Sequence, residues 1–169
     1  MISKKIEEAL NEQVAKEAYA SNYYLSMASW CEISGLRGCA AFLYEQSEEE
    51  KEHMMKLFKY INEAGGHAKT PPAKEPPQTY KSVSLVFELT LEHEMSVTKS
   101  INKLVELCFD SKDYSSFHFL QWYVAEQHEE EKLFKSILDL LKITGTDPRN
   151  LILFDNEINK LRSAGEGEK

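Results

Sequence analysis

Apolar residues recur along most of this chain at alternating steps of three and four, the period of a helix that buries one stripe. Sharp breaks at Ser34-Gly35, Gly65-Gly66, Asp110-Ser111 and Gly145 divide the stripes. The pattern predicts long helices over about residues 3–33, 36–64, 82–109 and 113–144, with no strand alternation and no solenoid-length repeat. A shorter fifth helix is expected over about 148–161, with Asp147 as N-cap and Pro148 in the first turn.

The first and second long helices have room only for a tight turn between them, as do the third and fourth, so each pair is antiparallel. Residues 65–81 differ, carrying Gly65-Gly66, Pro71-Pro72 and Pro76-Pro77. A helix of about 28 residues is roughly 42 Å long. An extended Pro-rich strand covers about 3.1 Å per residue, so roughly 14 residues traverse that length. The segment therefore reads as an end-to-end crossover, with the third helix parallel to the second. A linker between two domains fits less well, because neither half has enough helices to bury a core alone. The fold class is all-α, a four-helix bundle with one long crossover and a short fifth helix at the C-terminal end.

The buried stripes carry acids at their midpoints. They run Ile6, Leu10, Gln13, Glu17, Ala20, Tyr24, Met27, Cys31; then Leu36, Cys39, Leu43, Gln46, Glu50, His53, Leu57, Tyr60, Ala64. The third is Val83, Phe87, Thr90, Glu94, Val97, Ile101, Leu104, Cys108, and the fourth Ser116, Leu120, Tyr123, Gln127, Glu130, Phe134, Ile137, Leu141. Helices of similar length share a midplane whichever way the chain runs. Glu17, Glu50, Glu94 and Glu130 are thus expected to converge, with His53 one turn from Glu50 and Gln127 one turn from Glu130. Taking a carboxylate out of water costs several kcal/mol, and like charges at close range add repulsion. A domain stable by about 5–15 kcal/mol does not readily absorb four such groups unpaired. No lysine or arginine falls on the four stripes near this layer. Two divalent cations would balance the charge, and an oxygen-rich set with one imidazole suits iron or manganese more than structural zinc.

Bulk properties narrow the function. The net charge of -8 among 169 residues disfavours nonspecific binding to nucleic acid or anionic membranes and suits attraction of cations. No apolar run approaches the roughly 20 residues of a membrane span. The start, Met1 to Glu8, turns amphipathic at once without a signal-peptide core, so a cytoplasmic protein is expected. Cys31, Cys39 and Cys108 form no Cys-x-x-Cys pair and read as packed, reduced thiols.

Single glutamates on two helices (Glu17, Glu94) and the Glu50-Lys51-Glu52-His53 motif on another follow the ferritin-like di-iron pattern. The fourth helix departs from it, with Gln127-His128-Glu129-Glu130 in place of a second Glu-x-x-His. That departure, Leu10-Asn11-Glu12-Gln13 and the run FLQWYVAEQHEEEKLFKSI from Phe119 to Ile137 resemble the bacterial non-haem ferritins over essentially the whole chain. Residues 1–169 then read as a single ferritin-like di-iron domain. The resemblance implies a ferroxidase that oxidises Fe(II) with oxygen or hydrogen peroxide and stores the ferric mineral inside a cage of 24 subunits. It implies that Glu17, Glu50 and His53 hold a first iron and that Glu50, Glu94 and Glu130 hold a second. It puts Gln127 near the oxygen-binding face and Tyr24 close by as a redox or hydrogen-bonding neighbour. A third iron position is implied at Glu49, Glu126, Glu129 and Glu130, against which stands a solvated acidic face.

Haem is not expected. The haem-ligating methionine of bacterioferritins would fall at Lys51, and Met54 and Met55 miss the position. DNA binding is not expected either: mini-ferritins hold metal between subunits and bear basic tails, whereas this tail ends Gly165-Glu166-Gly167-Glu168-Lys169. In the fifth helix Leu151, Phe154, Ile158 and Leu161 form an apolar stripe, which lines the four-fold axis in ferritins and could instead cap the bundle end. Two other functions stay open on the residues alone. One is a different di-iron enzyme on the same bundle, which would usually carry two Glu-x-x-His motifs or a rubredoxin-like Cys site. The other is a metal-free helical interaction module.

Overall fold

A computed structural model describes residues 1–166 of the chain, with side chains through residue 162. Five helices follow in order: α1 (Lys4–Ile33), α2 (Arg37–Glu63), α3 (Val83–Asp110), α4 (Tyr114–Thr144) and α5 (Pro148–Glu166). There is no strand among the described residues. The last helix extends beyond the 148–161 expected, because no proline or glycine interrupts it before Gly165. The end of the acidic tail, residues 167–169, lies outside the described residues. None of the described helices is long and apolar enough to cross a membrane.

Local chemistry sets the helix ends. The Ser3 hydroxyl accepts from the Ile6 amide, Ser82 from the Leu85 amide and the Asp113 carboxylate from the Ser116 amide, each satisfying an orphan donor of a first turn. At the α1–α2 turn Gly35 has φ 83°, a left-handed conformation that a side chain would resist. The α3–α4 turn places Lys112 at φ 57°, the one non-glycine in that region among the described residues.

Contacts between helices give the topology. Glu94 of α3 meets Tyr24 of α1, and Ser100 meets Gln13, so numbers rise in one helix as they fall in the other and the two are antiparallel. Between α2 and α4, Gln46 meets Glu130, His53 meets Tyr123, and Tyr60 meets Ser116, again antiparallel. With α1 and α2 also antiparallel, α3 runs parallel to α2. The segment between them travels along α1. The Asn11 side chain bonds the His67 carbonyl and the Lys69 amide near one end, and Ser26 bonds the Pro77 carbonyl near the other.

Two hydrocarbon clusters fill the bundle. One holds Met27, Phe42, Leu43, Phe87, Phe134 and Ile137. The other holds Ile6, Leu10, Leu57, Ile101, Leu104 and Leu120. Phe154 and Ile158 of α5 are fully buried in the first cluster, with Phe154 edge-on to Phe87, so α5 caps that end of the bundle. Its approach depends on Gly38, where a Cβ would lie 1.8 Å from the Asp155 carbonyl oxygen. The Asp155 carboxylate accepts from the amides of Gly38 and Cys39 at 2.9 and 2.8 Å, capping the start of α2 from another helix. Cys31, Cys39 and Cys108 are free, buried thiols, and desolvation pushes Cys31 up to about 12.

Candidate metal centre

Between the two hydrocarbon clusters lies a polar layer drawn from the midpoints of α1 to α4. Gln13, Glu17, Gln46, Glu50, His53, Thr90, Glu94, Gln127 and Glu130 are all buried. The stripe phases read from the sequence therefore hold in all four helices, and the four glutamates do point inward. Their exposures of 1% (Glu17), 2% (Glu50), 1% (Glu94) and 4% (Glu130) leave bulk water no role in solvating them.

Neutral donors hold three of these carboxylates. Gln13 donates to Oε1 of Glu17 at 2.7 Å across one helical turn. The Tyr24 hydroxyl donates to Oε1 of Glu94, while the Gln127 amide donates to Oε2 at 2.9 Å. The Gln46 amide donates to Oε2 of Glu130 at 2.8 Å. Glu50 sits among them with His53 Nδ1 at 3.4 Å from its Oε2. Among the described residues no hydrogen-bond donor reaches Oε2 of Glu17 or Oε1 of Glu50, although both atoms are buried. Buried acceptors without donors are costly, and these two stand where ligand atoms of Glu17, Glu50 and His53 come within 4.8 Å of one another.

Protonation follows from this crowding. Desolvation, then the neighbouring charges of Glu94, Glu17 and Glu130, drive the Glu50 carboxyl well above the carboxylate range. Glu130 rises for the same first reason, with Glu94 and Glu49 adding to it and the Gln46 bond and Arg162 opposing it. Glu94 is raised by burial to about 7, held that low by its bonds from Tyr24 and Gln127. At neutral pH the metal-free layer therefore keeps protons that a bound cation would displace.

A second group of potential ligands adjoins the first. Atoms of Glu49, His53 and Glu126 also lie within 4.8 Å of one another, so His53 belongs to both groups, a sharing the stripes did not foretell. Glu126 is buried and Glu49 half-buried. Glu129 stands exposed on α4, outside both convergent groups among the described residues. Trp122 packs edge-on against His53 at 5.3 Å between centroids and carries the Lys56 ammonium 3.4 Å over its ring.

The stripes carry no cation near this layer, but the structure brings one from elsewhere. Arg162 of α5 reaches across to α2, its Nη1 2.7 Å from Glu49 Oε2 and its Nη2 bonded to Oε1 of Gln46. The signal lay in the fifth helix, where Arg162 falls four residues after Ile158 on the same buried face. Gln13 and Gln46, each four residues before an acid, were visible in the stripes but carried no assigned role.

A family model described as the Ferritin-like domain matches residues 7–144. The chain is 50% identical over 161 residues to the bacterial non-heme ferritin of Campylobacter jejuni, covering 95% of this chain and 96% of that one. It is 40% identical over 161 residues to the bacterial non-heme ferritin of Escherichia coli O6:H1, covering 95% and 98%. Among solved structures, an open pore ferritin from Archaeoglobus fulgidus superimposes with a TM-score of 0.91 at 43% identity, covering 94% of this chain and 98% of that one.

Proposed function

The chain belongs to the ferritin family as an iron-storage subunit, and on that premise we propose that it is a ferroxidase whose buried carboxylate layer oxidises Fe(II). One observation carries the reading: four glutamates and a histidine share a buried layer in which two carboxylate oxygens have no donor among the described residues. The donor set is nearly all oxygen with one imidazole, which fits ferrous iron as substrate. We assign Glu17, Glu50 and His53 to one iron and Glu50, Glu94 and Glu130 to a second, with Glu50 bridging. Glu49, Glu126, Glu129 and Glu130 make up the third position.

The chemistry balances simply. Each of two Fe(II) ions gives up one electron, and dioxygen takes those two electrons and two protons to become hydrogen peroxide. Alternatively, hydrogen peroxide takes the same electrons and two protons to become two waters. The protein's part is to hold the ions at a fixed separation and to favour the more highly charged ferric state with its carboxylates. Gln127 and Tyr24 each donate to one oxygen of Glu94, so they fix the orientation of one ligand. His53 is fixed less directly: its backbone carbonyl accepts from the Tyr123 hydroxyl at 2.7 Å. Ferric product then passes to a mineral inside a homo-oligomeric cage of 24 subunits, with the whole chain acting as one domain in the cytoplasm.

Glu50→Ala removes the one residue shared by both ions. The expected outcome is a loss of at least about 100-fold in the initial rate of aerobic Fe(II) oxidation, on the scale seen when catalytic groups are removed. Gel filtration should give an unchanged, very large particle. An unaltered initial rate refutes the site, and a small oligomer in the unmodified protein would favour a different di-iron enzyme on this bundle.

A further inference from the structure

Arg162 has an unusual environment for an arginine on a terminal helix. Its side chain is only 16% exposed and lies across the Phe42 ring at 4.8 Å. The guanidinium bonds Glu49 through Nη1 and Gln46 through Nη2, while Nε faces Glu45 at 3.4 Å. It lines a cleft along α2 with Tyr44, Glu45, Glu48, Glu49 and Glu52. The guanidinium thus occupies a carboxylate oxygen of Glu49, one of the residues whose ligand atoms converge with those of His53 and Glu126.

Gln46 extends the contact inward. Its carbonyl oxygen accepts from Arg162 and its amide donates to Glu130. An amide presents its oxygen and its nitrogen on opposite sides, so a donor on one side dictates a donor on the other. Arg162 therefore fixes Gln46 in the orientation that restrains Glu130.

We propose that Arg162 is a displaceable stopper for the third metal position, filling the place of a cation at Glu49 and holding Glu130 through Gln46 until an incoming divalent ion evicts it. The inference rests on the assignment of Glu49 and Glu126 to that position. A guanidinium brings one positive charge and in-plane donors to Glu49. A divalent ion brings two charges and can draw on Glu49 and Glu126 together. The ion wins, but only after breaking a charge-assisted bond worth roughly a factor of ten to a hundred in occupancy. The apparent affinity of the position falls by the fraction of molecules in which it is open. Eviction also removes the donor that orients Gln46, so filling the outer position loosens Glu130 for movement at the inner one.

Calorimetric titration of the metal-free, assembled protein with Fe(II) under anaerobic conditions tests this, comparing the unmodified chain with R162Q, R162K and E126Q. The expected result is a third, weaker class of site in the unmodified chain that is lost in E126Q. It should tighten at least about tenfold in R162Q and stay within a few-fold of the unmodified value in R162K, which keeps the charge. A merely structural arginine would lower stability in R162Q without tightening any metal site. A third class that E126Q removes but R162Q leaves unchanged or weakens overturns the stopper while sparing the metal assignment. No third class in either the unmodified chain or R162Q overturns both. If R162Q fails to assemble, crystals of the unmodified protein soaked anaerobically in Fe(II) decide. An ion at Glu49 with the guanidinium swung away supports the proposal, and an ion at Glu49 with the Arg162 bond intact, or no ion there, refutes it.

Discussion

Replacing Glu94 by glutamine should make the metal-free protein more stable, and only at high pH. In the fold the Glu94 carboxyl is raised from 4.5 to about 7. A carboxyl whose folded value lies above its unfolded value binds more protons in the native state between those two pH values. Stability therefore falls as pH rises through that window and levels off above it. The gap of about 2.5 pH units, at about 1.36 kcal/mol each, amounts to roughly 3 kcal/mol at pH 8 and less than about 1 kcal/mol at pH 5. Glutamine cannot ionise; its carbonyl keeps one of the bonds that Tyr24 and Gln127 donate to Glu94, and the Gln127 amide can turn over so that its oxygen accepts from the new NH2. The substitution also removes the charge that helps raise Glu50 and Glu130, which adds to the gain. Guanidinium unfolding of both proteins in chelator, followed by far-ultraviolet circular dichroism, measures the difference. At pH 5 the curves should nearly coincide, and at pH 8 the variant should be ahead. Equal differences at both pH values, or a variant less stable at pH 8, would refute the account of a layer strained by its own charge. The same variant should lose rapid Fe(II) oxidation, because the stability recovered is the stability given up to hold the metal.

Two further outcomes concern the docking of α5. Asp155→Ala deletes the acceptor for the amides of Gly38 and Cys39 and should cost about 1–3 kcal/mol, read as a lower denaturant midpoint with helix content retained. Gly38→Ala forces a methyl group against the Asp155 carbonyl, which can yield only by moving the helix. It should cost at least as much and raise hydrogen exchange across residues 150–160 relative to the rest of the chain.

Most of the fold was legible because the bundle is regular. The three-and-four stepping fixes which side of each helix is buried, and residues such as Phe87, Leu120 and Met27 sit where it put them. The inward acids were legible for the same reason, since Glu17 and Glu94 continue stripes that are otherwise hydrocarbon. What periodicity could not reveal are contacts that depend on the angle at which one helix meets another. Arg162 and Gln46 are 116 residues apart, and no spacing rule links them. Nothing in the spacing of α2 marks Gly38 as the place where the Asp155 carbonyl of α5 comes close. His53 could be matched to Glu50 through one helical turn, but its nearness to Glu126 depends on the separation of α2 and α4.

The polar layer divides the interior into two oily plugs, one on either side of it. One plug packs the rings of Phe42, Phe87 and Phe134, and the other packs Tyr123 among aliphatic side chains. Carboxylates that are 1–4% exposed can therefore exchange ions or protons only when packed side chains move aside.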